Sequence, residues 1–138
     1  MPKQFLLEIT TPDRLFVMEM VDMVVLPAGD GEQGILAGHE KMVLALVSGV
    51  IRVQNGASWR EASCAEGYAM VYDDQVIVLV QSVEWAEEID ETRAEAALRR
   101  AEHRALIDET ERDRVLTRMA LGRARARLRV VRRSREKR

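Results

Sequence analysis

"EEIDETRAEAALRR", residues 87–100, is where the chain changes its period. Four of its first five residues are acids, Asp90 precedes Arg93 by three positions, and Arg100 follows seven later. From Ile89 onward there is no Gly until Gly122 and no Pro, and Ala, Glu, Leu and Arg dominate, all good helix formers. Ala94, Ala97, Leu98, Ala101 and Ala105 recur at three- and four-residue steps, and so do Leu121, Ala124, Leu128 and Val131. Each segment therefore carries one narrow, Ala-rich stripe, and the polar stretch 108–111 between them is the turn of an antiparallel helical hairpin. Small residues let two helices approach closely but remove little apolar area from water, so the hairpin is expected to be weakly held and easily detached.

Upstream of residue 88 the apolar residues follow a different rule. Phe5, Leu7 and Ile9 alternate before Thr11-Pro12-Asp13, the run 23–26 stops at Pro27, and the run 42–47 ends at Ser48-Gly49. Residues 50–54 end at Asn55-Gly56, and the runs 68–72 and 76–83 face each other across Asp73-Asp74. These are strands and hairpins. Asn-Gly is the strongest of the turn signals, because a type I′ turn needs positive φ at both central residues. Turn signals about every ten residues imply a sandwich or barrel of eight to ten strands. The expected fold is α+β: an antiparallel β-sandwich over residues 1–88, then a two-helix hairpin over 89–138.

Charge divides at the same place. Residues 1–88 hold five Lys/Arg against fourteen Asp/Glu, a net of −9, and residues 89–138 hold sixteen against nine, a net of +7. Residues 114–138 alone carry eleven Lys/Arg against the single acid Glu136. Such a split implies a hinge near residue 88, a basic arm that lies on an acidic partner, or both.

Composition and motifs narrow the function by exclusion. With 47% hydrophobic residues, 32% charged and three prolines, the chain is globular, and its 138 residues suit one domain or a small domain with an appendage. No run approaches the roughly 18 apolar residues of a membrane helix. The N-terminal MPKQFLLEITTPDR has neither the apolar core of a signal peptide nor the acid-poor character of a transit peptide, so the protein is expected in a cytosol. Cys64 has no partner for a disulfide and reads as a half-buried small hydrophobe. "GDGEQG" (29–34) lacks a following Lys-Ser/Thr and a helix start, so it is a turn and not a phosphate loop. His39 and His103 have no Cys or His at ligand spacing, and no Ser/His/Asp or Cys/His set is available for catalysis. Trp59, Trp85 and the seven methionines read as core or docking surface.

The residues then resemble a known family along nearly the whole chain. "TPDRLF" (11–16), "LPAGDGEQGILAGHEKM" (26–42), "GYAMVYDDQVIVL" (67–79), "EEIDETRAEA" (87–96) and "ALGRARARL" (120–128) together, in this order, are similar to the epsilon subunit of bacterial F-type ATP synthase. The family usually has Pro where this chain has Ala37, and often another where it has Lys41; their absence is expected to loosen the loop around His39. The resemblance implies a non-catalytic stalk component, peripheral on the cytoplasmic face of the cell membrane, with no required cofactor. Its β-sandwich would dock on the central-stalk gamma subunit and the membrane c-ring, coupling proton translocation to ATP synthesis. Its hairpin would either fold against the sandwich or extend to block ATP hydrolysis, the basic C-terminal helix meeting the acidic surface of the catalytic beta subunits. Such charge complementarity governs capture and register and weakens with salt.

Within that resemblance the opening stretch has two readings. As helix-start chemistry, Glu87, Glu88, Asp90 and Glu91 sit where the macrodipole favours negative charge, and Asp90 pairs with Arg93 one turn on. As a ligand site, Ile89-Asp90-Glu91-Thr92-Arg93-Ala94 is similar to the Ile/Leu-Asp-x-x-Arg-Ala motif with which some epsilon subunits bind ATP, and Glu84, Arg100, Arg123 and Arg127 match the family's other positions. Arg93 and Arg100 share a helix face, as do Arg123 and Arg127. Forked guanidiniums suit phosphate oxygens, and Glu84 and Asp90 can accept from an adenine amino group. Four uncompensated arginines converging in a closed hairpin would need an anion, so ATP is expected as a regulatory ligand that favours the folded state. Two rival functions are a free-standing ATP sensor and nucleic-acid binding through residues 123–138; the latter is opposed by an acidic β-domain and by a tail without aromatic residues for base stacking.

Overall fold

A computed structural model describes residues 3–136. Ten strands come first: β1 Phe5–Thr10, β2 Leu15–Val21, β3 Met23–Ala28, β4 Gly31–Leu36, β5 Met42–Leu46, β6 Gly49–Asn55, β7 Ser58–Cys64, β8 Gly67–Val71, β9 Gln75–Val80 and β10 Val83–Trp85. A short 3-10 turn, Ala86–Glu88, leads into α1 Glu91–Ile107 and α2 Glu111–Glu136. The strand order is β10-β7-β6-β3-β5-β8-β9-β1-β2, with β4 paired to β3. All pairings are antiparallel except β1 with β9, which is parallel.

The sheet folds over between β3 and β5, where a single pairing, Ala28 with Leu46, joins the halves. Alternation puts Phe5, Leu7 and Ile9 of β1, Val76, Val78 and Val80 of β9, and Val24, Leu26, Ile51 and Val53 of the other half into one buried core. The α+β sandwich-plus-hairpin expectation matches this architecture. Lys137 and Arg138, counted in the basic tail, lie outside the described residues.

Several local expectations change. Strand β3 continues through Pro27, which stands opposite Glu32 and uses its carbonyl to accept from Val47 N–H; a proline fits there because only its N–H is missing. The run 76–83 is two strands, not one: after Val80 the chain crosses at Gln81-Ser82 to pair β10 with β7 on the other sheet. In "GDGEQG", only Gly29-Asp30 form the turn, and Gly31 onward is β4. The β6–β7 hairpin turns on Gly56-Ala57, with positive φ at Gly56 (63°) and, among the described residues, at no non-Gly residue, so Asn55 is the last strand residue and not half of a type I′ turn. The loop around His39, expected to be loose, closes on Gly38 N–H to Asp73 carbonyl and His39 N–H to Leu36 carbonyl.

The hairpin turns between Ile107 and Glu111, as its polar sequence implies. Ala94 and Ala101 of α1 and Ala124 and Leu128 of α2 are buried as expected, while Ala105 is exposed. Helix α2 has a second buried stripe that the one-stripe reading omits: Ala126 and Val130 lie on its opposite face. That face meets the platform, where Val130 packs with Val50 and Ile89. Helix α2 lies across β6 and β7, and α1 rides on α2 without comparable contact to any strand.

Candidate functional site

The start of α1 shows how helix-start chemistry uses the acidic stretch. Asp90 is the N-cap, its Oδ1 accepting from the Arg93 backbone N–H at 3.1 Å. The expected Asp90–Arg93 ion pair is therefore a cap bond to the main chain instead. Glu87 and Glu88 precede the helix and belong to the connector. Glu88 accepts from Trp85 N–H at 2.9 Å and pairs with Arg14 at 2.9 Å, while Glu87 lies 3.7 Å from Arg60. The same two arginines cover a stacked ring pair, Phe16 and Trp85, whose centroids are 4.6 Å apart. Arg14 lies over Phe16 at 4.9 Å and Arg60 over Trp85 at 3.7 Å.

Between this connector, α1 and α2 lies a pocket of about 340 Å³. It is lined by Glu84, Glu88, Asp90, Arg93, Ala94, Ala96, Ala97, Arg100 and Arg127. Six of the seven residues expected at a ligand site are thus brought together: Glu84, Asp90, Arg93, Ala94, Arg100 and Arg127. Its volume is within the roughly 300–1,000 Å³ of small-molecule pockets. Glu88, Ala96 and Ala97 were not foreseen; Ala96 and Ala97 lie on α1, and Glu88 enters because the 3-10 turn directs it back toward β10.

Arg123, the seventh, is elsewhere. Its Nη1 donates to Glu66 at 3.2 Å, on the platform. Arg127 lines the pocket but is engaged, its Nε donating to Glu84 Oε1 at 2.7 Å. The expectation of four uncompensated arginines is corrected accordingly: Arg123 and Arg127 have carboxylate partners, and Arg93 and Arg100 have no ion pair among the described residues. The physical reason is that the acidic platform itself supplies the counter-charges for the basic helix.

Further along α2 the partners come from the platform and from α1. Arg133 pairs with Glu61 at 2.9 Å on β7, Arg132 with Glu91 and Glu95 at 3.5 Å, and Arg135 with Glu91. Much of the basic charge of α2 is thus met within the chain, leaving Arg112, Arg125 and Arg129 exposed and without ion pairs among the described residues. Cys64 is buried, not half-buried, and burial pushes its thiol up to about 12. Among the described residues no group of three or more His, Cys, Asp or Glu side chains converges as a metal site, and no helix is long and apolar enough to cross a membrane.

A β-sandwich followed by a two-helix hairpin defines a class. Residues 4–86 match the family model described as "ATP synthase, Delta/Epsilon chain, beta-sandwich domain", and residues 87–132 match "ATP synthase, Delta/Epsilon chain, long alpha-helix domain". The chain belongs to the ATP synthase delta/epsilon family. Within it, the ATP synthase epsilon chain of Ruminiclostridium cellulolyticum is 39% identical over 131 residues, covering 95% of this chain and 98% of that one. That of Caldicellulosiruptor saccharolyticus is 46% identical over 99 residues, 72% of each chain. Among solved structures, a chain of the Euglena gracilis mitochondrial ATP synthase (OSCP/F1/c-ring, rotational state 1) superposes with a TM-score of 0.78 at 28% identity, covering 91% of this chain and 79% of that one.

Proposed function

We propose that this chain is the epsilon subunit of a bacterial ATP synthase, a non-catalytic part of the central stalk whose folded hairpin is stabilised by ATP. The observation that carries the regulatory part is the pocket. Its walls come from β10 (Glu84), the connector, α1 and α2 together, so it is complete only while the hairpin lies on the platform. A ligand that fits it binds the closed state and not the open one, and shifts the population by its differential affinity.

Arg93 and Arg100, free of ion pairs, are the phosphate seat on α1. Arg127 joins them by exchanging Glu84 for a phosphate oxygen, and Asp90, with one oxygen committed to the helix cap, keeps the other for the adenine amino group. The platform docks through the outward face of β5-β8-β9-β1-β2. Val43, Tyr68, Leu79, Met18 and Met20 are exposed there, on strands whose alternate residues form the core. A soluble domain seldom leaves so much contiguous apolar surface uncovered, and this face fits the gamma subunit of the stalk. The c-ring is the second partner, at the cytoplasmic face of the cell membrane. The released basic helix reaches the acidic beta subunits and blocks hydrolysis.

Titration calorimetry of the full chain with ATP tests the site: uptake at or below millimolar ATP, abolished by Arg93→Ala with Arg100→Ala, is the expected result, and no uptake by the unaltered chain removes the ATP reading. Co-purification with the gamma subunit, lost in Met18→Glu/Leu79→Glu, tests the docking face independently.

A further inference from the structure

Sequence pattern sends Arg123 and Arg127 to one ligand, but the fold separates them. Arg127 lines the pocket, whereas Arg123 Nη1 lies 3.4 and 3.2 Å from Glu66 Oε1 and Oε2. Glu66, between β7 and β8, also accepts from the Ser48 hydroxyl at 2.5 Å. Just before Arg123, Gly122 lets α2 settle onto that serine: a Cβ at Gly122 would stand 3.2 Å from Ser48 Cβ. Glycine is a poor helix former, so its place inside α2 has a packing reason, and close approach to Ser48 supplies it. Because α1 rides on α2, the seat of α2 positions every helical wall of the pocket.

We infer that Ser48, Glu66, Gly122 and Arg123 form a nucleotide-independent clasp, with Arg123 a positioning residue that holds Arg127 and α1 over the pocket without touching the ligand. The effect of the clasp on affinity rests on the ATP reading; the clasp itself does not. If a fraction of the protein is closed, the apparent dissociation constant is the intrinsic one divided by that fraction. Breaking the clasp from either side therefore weakens ATP binding by the factor that it opens the hairpin. A direct phosphate contact gives the opposite asymmetry: removing Arg123 would weaken binding, but neutralising Glu66 would free the guanidinium and leave binding equal or tighter.

The test uses the full-length protein, Arg123→Ala, Glu66→Gln and their combination, titrated with ATP. A partly exposed ion pair implies weakening of about two- to fivefold in each single variant, and no further loss in the double. A Ser48→Cys/Gly122→Cys cross-link, which forms once the 3.2 Å Cβ spacing relaxes outward by a few tenths of an ångström, replaces the clasp covalently. In the cross-linked protein Arg123→Ala then binds ATP as tightly as the cross-linked parent. Weak binding by Arg123→Ala even when cross-linked, with Glu66→Gln unaffected, overturns the inference and makes Arg123 a ligand contact. Spin labels at Tyr68→Cys and Leu106→Cys, both exposed, read the closed fraction without nucleotide. Should the unaltered chain take up no ATP, the ATP reading fails alone: a longer label separation in both single variants still supports the clasp, and an unchanged one overturns it.

Discussion

The platform and the seat of the hairpin are held by different physics. Nineteen buried hydrophobic residues from both sheets form the platform core. Where α2 meets the platform, a separate cluster has three, Val50, Ile89 and Val130. Around this small cluster, with Ala126 and Gly122 as the other close contacts, three ion pairs complete the interface: Arg123 on Glu66, Arg127 on Glu84 and Arg133 on Glu61. Apolar burial is insensitive to salt and specific to shape, whereas partly exposed ion pairs contribute little each and are screened. One chain thus combines a part that must not come apart with a part that can, and the boundary between them falls after the Phe16–Trp85 stack and its two arginines.

The largest expected effect tests the platform side of this contrast. Ile51 is fully buried in the main core, so Ile51→Ala should lower the unfolding free energy by about 2–5 kcal/mol, read as a shifted denaturant midpoint with unchanged slope. Loss confined to the helices, with the strands unaffected, would contradict the place of Ile51 in the platform core.

Val130→Ala probes the other side. It removes apolar burial worth about 2 kcal/mol from the smaller cluster, and amide exchange in α1 and α2 should quicken roughly 20- to 30-fold. Exchange in β1 and β9 should stay as it was. An equal loss of protection in the strands would contradict independent opening.

How much of this was legible beforehand follows from the same contrast. The platform was readable because alternation is a local signal: Phe5, Leu7 and Ile9 declare their face within six residues, and Asp73-Asp74 mark their own turn. The break at Gln81-Ser82 was not, since crossing to another sheet is a tertiary event with no turn chemistry of its own. In α2, Ala126 and Val130 were hidden among arginines, where a small residue between two cations looks like solvent-facing filler. The i, i+4 spacing of those two was the available signal. Six pocket residues were found because the motif carries them together, but Arg123 was misplaced because its partner, Glu66, lies 57 positions away and nothing local marks it. The opposed net charges imply a hinge near residue 88, a basic arm on an acidic partner, or both; that the platform of the same chain meets part of the basic arm is a tertiary fact with no local mark.

Salt should separate the halves with a smaller effect. Raising sodium chloride from about 0.05 M to about 1 M shortens the Debye length from above 10 Å to roughly 3 Å, so the three platform ion pairs of α2 weaken. Hairpin exchange is expected to rise several-fold while the platform's unfolding midpoint moves little. A hairpin indifferent to salt would mean that the apolar cluster alone holds it, and that the arginine–glutamate contacts are decoration.

The smallest effect concerns Cys64, at the end of β7, with its side chain in the platform core. Its thiol stays protonated in the folded chain up to about 12, because burial disfavours the thiolate, against an ordinary thiol value of 9.0. The folded state then holds one more proton than the unfolded state between these values, so stability falls as pH rises from about 9 toward 12. Cys64→Ala should remove that part of the alkaline slope, measured by denaturation at successive pH values against the parent. The same burial makes the native thiol resist alkylation at pH 8, with reaction tracking global unfolding if the platform is as closed as its core implies, and tracking release of α2 if the hairpin is what covers it. The two rates differ because Val130→Ala changes only the second, so the thiol reports directly on where the rigid part of the molecule ends.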